Sequence, residues 1–326
     1  MFPARIIFTV LIILFSTSFS SGQTAQNKLE IKWVKNIPDP YVRERKSPLQ
    51  IIENIFLGSA GLNISRPVDI AISSKDNGWI LSQGNGEIIK FKGQVLSPAK
   101  IKNNNKTHFK SLVSGCFING TGLLFSDSAE ENIYLLTEEG KLSMFCKEGI
   151  LQRPTGIACN SKKQEIWVVE SGGHRISVFN KDGSLLFRVG ERGSGPGQFN
   201  FPTHIDIDNE GRVYIVDAMN FRIQIFNQNG DYLSSFGEHG DASGKFARPK
   251  GIAVDGKGNI YVADALFNAV QIFNYQGDLL YYFGKKGSGN GEFVMPTGLR
   301  IDDNGYIYVS DSYNNRIQVF KPSKDH

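Results

Sequence analysis

One phrase of about 45 residues recurs six times along the chain, and this repeat constrains the fold more than any other feature. Residues 248–273 read RPKGIAVDGKGNIYVADALFNAVQIF, and residues 295–320 read MPTGLRIDDNGYIYVSDSYNNRIQVF. Aligned copies start at residues 67, 112, 154, 202, 249 and 296, so the spacings are 45, 42, 48, 47 and 47 residues. Regular spacing of this length is typical of propellers and solenoids.

Each copy predicts a unit of four short strands. Three runs rich in Ile, Val, Tyr and Phe are separated by turn signals such as Asp255-Gly256, and a fourth run follows, for example residues 232–236. Four strands per unit make a propeller blade. The 35 glycines and 12 prolines among 326 residues fit the many turns that such a fold needs. We therefore predict an all-β fold, a six-bladed β-propeller of four-stranded blades over residues 49–326.

The last copy ends at Phe320 without a fourth strand, which would leave an unpaired sheet edge. We expect an N-terminal strand to close the ring there. Residues 51–67 carry the same order of Phe, Gly, Gly and Arg-Pro as residues 232–249, and they are the predicted closing strand of blade six. Residues 23–48 are then an extended lead-in segment that lies on the body.

The first 22 residues have the three-part form of a secretory signal. Arg5 supplies a positive charge, residues 6–15 are apolar, and residues 16–22 are small and polar. The apolar run is too short to span a bilayer. We predict a cleaved signal peptide over residues 1–22 and a periplasmic or extracellular protein with no membrane insertion after cleavage. A buried N-terminal strand and an uncleaved anchor are the alternatives.

Charge and cysteine content argue against several classes of function. The net charge of +4 is the difference between 36 basic and 32 acidic residues, and no run of five like charges occurs, so we expect no nucleic-acid partner. The sequence contains no Cys-x-x-Cys pair, the pattern that would indicate a zinc or haem site, and we expect no cofactor. Cys116, Cys146 and Cys159 allow at most one internal disulfide, and their pairing is open.

The motifs of the repeat resemble a known family. Pro-x-Gly-Ile-Ala-Val-Asp, Ile-Tyr-Val-Ala-Asp and Asn-x-Arg-Ile-Gln-Val-Phe are similar to the NHL repeat of six-bladed propellers. The linkers GERGSGPGQFNFP (190–202) and GKKGSGNGEFVMP (284–296) resemble those of a bacterial secreted subgroup, whose members are often encoded beside multihaem cytochromes. This resemblance implies a secreted bacterial protein with protein partners, extracytoplasmic cytochromes among them. We expect a monomer.

An acidic residue ends the second strand of five copies, and an arginine follows five residues later in three of them. The acids are Asp127, Glu170, Asp217, Asp264 and Asp311, and the arginines are Arg175, Arg222 and Arg316. An acid and an arginine at this spacing can pair across the turn while the carboxylate also accepts backbone N–H groups. Repetition along the chain predicts a structural role for these acids.

Small residues in the first strand of each copy face the crowded ring axis, so larger residues in those columns mark the central tunnel. Asp69, His204, Asp206 and Arg300 are the departures. One hypothesis is that the first three bind a metal or polarise a substrate, as in propeller lyases and lactonases. The other, which we favour, is that Asp206 and Arg300 form a buried pair while His204 fills space or holds water.

The loops that join the second and third strands carry large apolar residues in the last three blades. They are Met219, Phe221, Leu266, Phe267 and Tyr313. Such a patch is typical of a partner surface, although the same side chains can instead pack on neighbouring linkers. We therefore predict a non-catalytic extracytoplasmic protein-interaction scaffold or sensor propeller associated with a cytochrome or envelope assembly. The alternative is a metal-dependent lyase or hydrolase with its site in the central tunnel.

Overall fold

The computed structural model describes residues 29–39, 63–74, 76–102, 108–160 and 162–324. Over these residues the chain forms six antiparallel sheets of four strands each, arranged as the blades of a propeller. The all-β six-bladed fold predicted from the repeat is therefore confirmed. The predicted signal peptide over residues 1–22 lies outside the described residues.

The strands follow the chain in order, from β1 (Leu29–Ile37), which is part of blade six. Blade one has β2 (Pro67–Ser74), β3 (Asn77–Ser82), β4 (Glu87–Lys92) and β5 (Val95–Pro98), and blade two has β6 (Leu112–Ile118), β7 (Gly122–Asp127), β8 (Asn132–Thr137) and β9 (Leu142–Met144). Blade three has β10 (Pro154–Asn160), β11 (Glu165–Glu170), β12 (Arg175–Asn180) and β13 (Leu185–Val189), and blade four has β14 (Pro202–Ile207), β15 (Val213–Asp217), β16 (Arg222–Phe226) and β17 (Tyr232–Phe236). Blade five has β18 (Pro249–Val254), β19 (Ile260–Asp264), β20 (Ala269–Phe273) and β21 (Leu279–Phe283), and blade six has β22 (Pro296–Ile301), β23 (Ile307–Asp311) and β24 (Arg316–Lys324). No helix among the described residues is long and apolar enough to cross a bilayer.

Blade six is closed by an N-terminal strand, as predicted, but the strand comes from a different segment. β1 pairs antiparallel with β24, with Glu30 opposite Ser323 and Ile37 opposite Ile317. The closing strand therefore lies within residues 23–48, predicted to be only a lead-in, and the assignment to residues 51–67 is wrong. The reason is visible in LEIKWVKNI, where apolar and polar residues alternate over the first five positions. This puts Ile31 and Trp33 against the core of blade six.

The core lies between the blades, where the faces of neighbouring sheets pack together. The second strands are buried throughout in all blades from four to six. The linkers between blades are anchored by phenylalanines: Phe199, Phe246 and Phe293 are fully buried and lie 5.5–5.7 Å from the rings of Phe226, Phe273 and Phe320. A Cβ at Gly190 would lie 2.4 Å from the Phe199 ring, so glycine is needed where this linker turns.

A disulfide joins two neighbouring blades. Cys116 in β6 pairs with Cys159 in β10, with their Cα atoms 6.3 Å apart. Cys146 is a buried free thiol. The pairing that the sequence left open is thus between the inner strands of blades two and three.

Candidate functional site

The repeated acids fix the loops between second and third strands, as predicted. Three of them pair with the arginine five residues later, at 3.0 Å for Glu170–Arg175, 2.9 Å for Asp217–Arg222 and 2.8 Å for Asp311–Arg316. Blade five has Ala269 at the arginine position. There the carboxylate of Asp264 accepts hydrogen bonds from four backbone N–H groups, those of Ala247, Arg248, Leu266 and Phe267. These acids are structural, and they hold each loop against the preceding linker.

We call the predicted apolar loop patch of blades four to six the crown; its residues are Met219, Phe221, Leu266, Phe267 and Tyr313. Exposed fractions are 54% for Met219, 55% for Leu266 and 57% for Tyr313. The equivalent loops of blades two and three carry Ala129–Glu131 and Gly172–His174. The crown is thus an asymmetric apolar surface on one rim of the ring.

Two of the five crown side chains are only half-exposed. Phe221 lies with its ring centroid 4.4 Å from that of His239 in the next linker, and Phe267 is also partly buried. Phe201 joins the exposed surface of the same rim at 39% exposure, and its ring centroid lies 4.5 Å from that of His174. Phe201 is not among the residues predicted from the sequence, although its position directly before the first proline of blade four was a usable signal.

Basic residues border the crown. The guanidinium of Arg66 lies 5.6 Å from the centre of the Tyr313 ring, within the range of a cation–π contact. Arg248, at the position in blade five that Phe201 occupies in blade four, is exposed. The apolar patch therefore has positive charge at two of its edges.

The tunnel holds a buried ion pair that differs from the predicted one. Arg300 pairs with Asp69 at 2.8 Å, and Asp69 also accepts hydrogen bonds from the Ser114 hydroxyl and the Gly115 N–H. Burial raises the pKa of Asp69, and Arg300 opposes that shift. The predicted Asp206–Arg300 pair is wrong because side chains in these columns point toward the following blade. Asp206 of blade four accepts from the Val254 N–H of blade five at 2.8 Å.

His204 and Asp206 lie near enough to the axis for Arg300 to influence both. Burial raises the pKa of Asp206 to about 6, with Arg300 acting against it. Burial lowers the pKa of His204 to about 3, and the charges of Lys250 and Arg300 lower it further. His204 is therefore neutral at pH 7. It is 5% exposed, and neither ring nitrogen has a hydrogen-bond partner among the described residues.

The three weak metal candidates do not form a ligand set. Within the described ranges no group of three or more His, Cys, Asp or Glu side chains is arranged to hold a metal ion. Asp69 is committed to Arg300, while Asp206 binds a backbone N–H of blade five. The tunnel residues thus do not fit the metal centre that the alternative function requires.

A cavity of about 570 Å³ opens on the opposite rim, between the loops joining first and second strands of blades four to six. Asp206 forms part of its wall, with Lys257, Asp303 and Lys321. Asp255 also lines the cavity. Its carboxylate already accepts hydrogen bonds within its own turn, from the N–H groups of Lys257 and Asn259. Asp206 is among the residues predicted from the sequence, but no feature of the repeat indicates this cavity.

Comparisons with known proteins agree with the fold. Residues 158–223 match a family described as 6-bladed beta-propeller, and residues 293–320 match the NHL repeat. Protein brain tumor of Drosophila melanogaster is 33% identical over 60 residues, which is 18% of this chain and 6% of that protein. The chain therefore spans only a small part of this curated relative.

Several solved propellers are similar in three dimensions. A streptogramin B lyase has a TM-score of 0.58 at 14% identity, covering 81% of this chain and 95% of the lyase. An auxiliary nutrient binding protein from Bacteroides thetaiotaomicron has a TM-score of 0.62 at 14% identity, covering 80% and 70%. Virginiamycin B lyase from Staphylococcus aureus, in an inactive form with quinupristin, gives 0.57 at 14% identity, covering 90% and 99%. Identities this low show a shared fold alone.

Proposed function

We propose that this NHL-repeat six-bladed propeller is a non-catalytic extracytoplasmic interaction module that binds a protein partner through its crown. The observation that carries the proposal is the exposure of Met219, Leu266 and Tyr313, each more than half exposed on three consecutive blades. Methionine and aromatic side chains are enriched at the centres of protein interfaces, and clustered apolar exposure on a rim is uncommon unless it is used.

Rigid loops favour this role. The N–H of Met219 donates to the carbonyl of Asn200 at 3.1 Å, and the N–H of Tyr313 donates to the carbonyl of Val294 at 3.2 Å. The N–H of Leu266 donates to the buried Asp264 carboxylate at 3.1 Å. Because each loop is already tied down, binding loses little conformational entropy.

The surroundings of the crown define the partner. Arg66 and Arg248 border it, so the complementary surface is apolar at its centre and carries carboxylates at its edge. The resemblance to secreted propellers encoded beside multihaem cytochromes makes an extracytoplasmic cytochrome the first partner to test. The metal-dependent lyase or hydrolase is not proposed, because the tunnel side chains form no metal-ligand set within the described residues.

The test compares three purified forms of the protein. The crown variant carries Met219→Ser, Leu266→Ser and Tyr313→Ser. The control variant carries Leu186→Ser, Leu233→Ser and Leu280→Ser, which remove exposed leucines from outer strands of blades three to five. Each form is used to capture partners from the envelope fraction, and any captured protein is then purified and titrated by calorimetry.

The expected result is a Kd at least about 30-fold weaker for the crown variant, since losing central anchors of an interface costs about 2 kcal/mol or more. The control variant and the wild type should bind alike. Equal binding by the crown variant, or equal loss in the control variant, would overturn the proposal.

A further inference from the structure

We propose that the mouth of the tunnel between blades four and five, on the crown side, binds a small oxyanion such as a carboxylate or a phosphate. The site consists of Thr203 and His204 in β14, Lys250 in β18 and Arg248 directly before β18. It shares Arg248 with the border of the crown, but anion binding there does not depend on a protein partner.

The residues of the proposed site lie on neighbouring blades. Thr203 and Lys250 occupy equivalent places, each directly after the proline that begins an inner strand on the crown side. β14 and β18 are neighbours, since Asp206 of one accepts a hydrogen bond from Val254 of the other. Thr203, His204 and Lys250 therefore come from two adjacent strands at one end of the tunnel, and Arg248 directly precedes the second of these strands.

Two hydrogen-bonding side chains of the site have no partner among the described residues. Both ring nitrogens of His204 and the buried Oγ1 of Thr203 make no hydrogen bond among the described residues. The equivalent threonine of blade six behaves differently, because the Thr297 hydroxyl donates to the carbonyl of Val68 at 3.0 Å. In blade three the Thr155 hydroxyl donates to the carbonyl of Val169 at 3.4 Å. The unsatisfied threonine is thus specific to blade four and is not a property of the repeat.

The site also carries positive charge, from Lys250 and Arg248. The Lys250 ammonium is half-buried and makes no ion pair with any described residue, and burial together with the charge of Arg248 lowers its pKa. The nearby carboxylate of Asp264 is already used by four backbone N–H groups. Deeper in the tunnel, Asp69 is paired with Arg300. Neither of these carboxylates is therefore available to pair with Lys250.

These groups define the ligand chemistry. The ammonium of Lys250, the guanidinium of Arg248 and the hydroxyl of Thr203 are donors, and a neutral histidine adds one N–H. Unpaired buried donors are costly, and hydrogen bonds in which a partner is ionised are the strong ones. A compact group with several negatively charged oxygen atoms would satisfy these donors.

The test is thermal unfolding of the whole protein at pH 7 in chloride, succinate, phosphate or sulfate at equal ionic strength. A ligand that binds only the folded state raises Tm by mass action, by about 2–3 °C at ten times its Kd for a chain of this length. We expect such a rise for the wild type in succinate or phosphate. Stabilisation by succinate alone identifies a carboxylate ligand, and stabilisation by phosphate alone identifies a phosphoryl ligand.

Two variants test the site itself. Lys250→Met and Arg248→Gln should each remove most of the rise, and Arg248 is exposed, so its substitution does not endanger folding. Lys257→Met, on the opposite rim, is the matched control and should keep the full rise. General salting-out acts on the whole surface and would be equal in all forms. The proposal fails if no anion stabilises the wild type beyond chloride, or if all three variants respond like the wild type.

Discussion

Arg300 of blade six donates from Nη2 to Oδ2 of Asp69 in blade one at 2.8 Å, so a buried ion pair crosses the junction where the ring closes. The same guanidinium nitrogen also lies 3.2 Å from the Ser114 hydroxyl oxygen and from the Gly115 carbonyl oxygen of blade two. One side chain therefore connects three blades at the axis. Because Asp69 is fully buried, its charge depends on this contact.

Removing Arg300 is expected to destabilise the fold strongly. Arg300→Met leaves the Asp69 carboxylate buried without its cation, which costs about 3–5 kcal/mol in the free energy of unfolding. Denaturant unfolding at pH 7 measures the loss. The double variant Asp69→Asn/Arg300→Met removes both charges and should recover most of the stability; a single-variant loss below about 1 kcal/mol contradicts the assigned role.

The same contact shows what the repeat could and could not predict. The aligned copies predicted Asp69, His204, Asp206 and Arg300 as tunnel residues, and the structure places both His204 and Asp206 within electrostatic range of Arg300. The alignment paired Arg300 with the wrong acid. A column gives the face of a strand but not the neighbouring blade that the side chain reaches, and that direction depends on how the sheets are arranged around the axis.

His204 should weaken the fold in acid. Its pKa is about 3 in the folded protein and about 6.5 in the unfolded chain, so below pH 6.5 the unfolded chain binds the proton more readily. The difference in unfolding free energy between wild type and His204→Leu is therefore constant above pH 6.5. It shifts against the wild type by a few kcal/mol as the pH falls toward 3. Denaturant unfolding across this range is the measurement, and a difference that stays constant down to pH 3 would contradict the lowered pKa of His204.

Asp206 should change the pH dependence of the unfolding free energy in the opposite direction to His204. Its pKa of about 6 in the folded protein exceeds the 3.8 of an ordinary aspartate, so the folded state holds the proton more tightly. The stability it contributes is complete below pH 3.8 and is lost as the pH rises through 6. Relative to wild type, Asp206→Asn should therefore gain up to about 3 kcal/mol between pH 3.8 and pH 7.

The control for this variant is Asp303→Asn, which lies in the wall of the same cavity but is exposed. Both variants are compared with the wild type by denaturant unfolding at each pH. A flat difference between Asp206→Asn and wild type over pH 4–7 would show that burial does not perturb the Asp206 carboxyl.

The closing strand offers a test with an internal control. Ile37 is fully buried in β1, whereas Val34 in the same strand is 40% exposed. Ile37→Ala should cost about 2–5 kcal/mol because it leaves a cavity in the core. Val34→Ala should cost less than about 0.5 kcal/mol. Similar losses for both, measured by denaturant unfolding, would mean that β1 is not firmly docked on β24.

β1 and the crown show that local sequence signals predicted some features of the structure and missed others. The alternation in LEIKWVKNI is a strand signal, but the resemblance of residues 51–67 to a linker drew the prediction away from it. For the crown, loop position predicted exposure correctly for Met219, Leu266 and Tyr313. It could not predict that the Phe221 ring lies against the His239 ring, because that contact joins the loop to the following linker.

The pairing of β1 with β24 sets the order in which the protein can be completed. Because Glu30 in β1 lies opposite Ser323 in β24, blade six gains its fourth strand only after all the other blades have been synthesised. Contacts between such distant positions are slow to form, and until they form β24 has an open edge that can pair with other chains. A nascent chain therefore passes through a stage with five complete blades and one incomplete blade, and protection against aggregation is most needed at that stage.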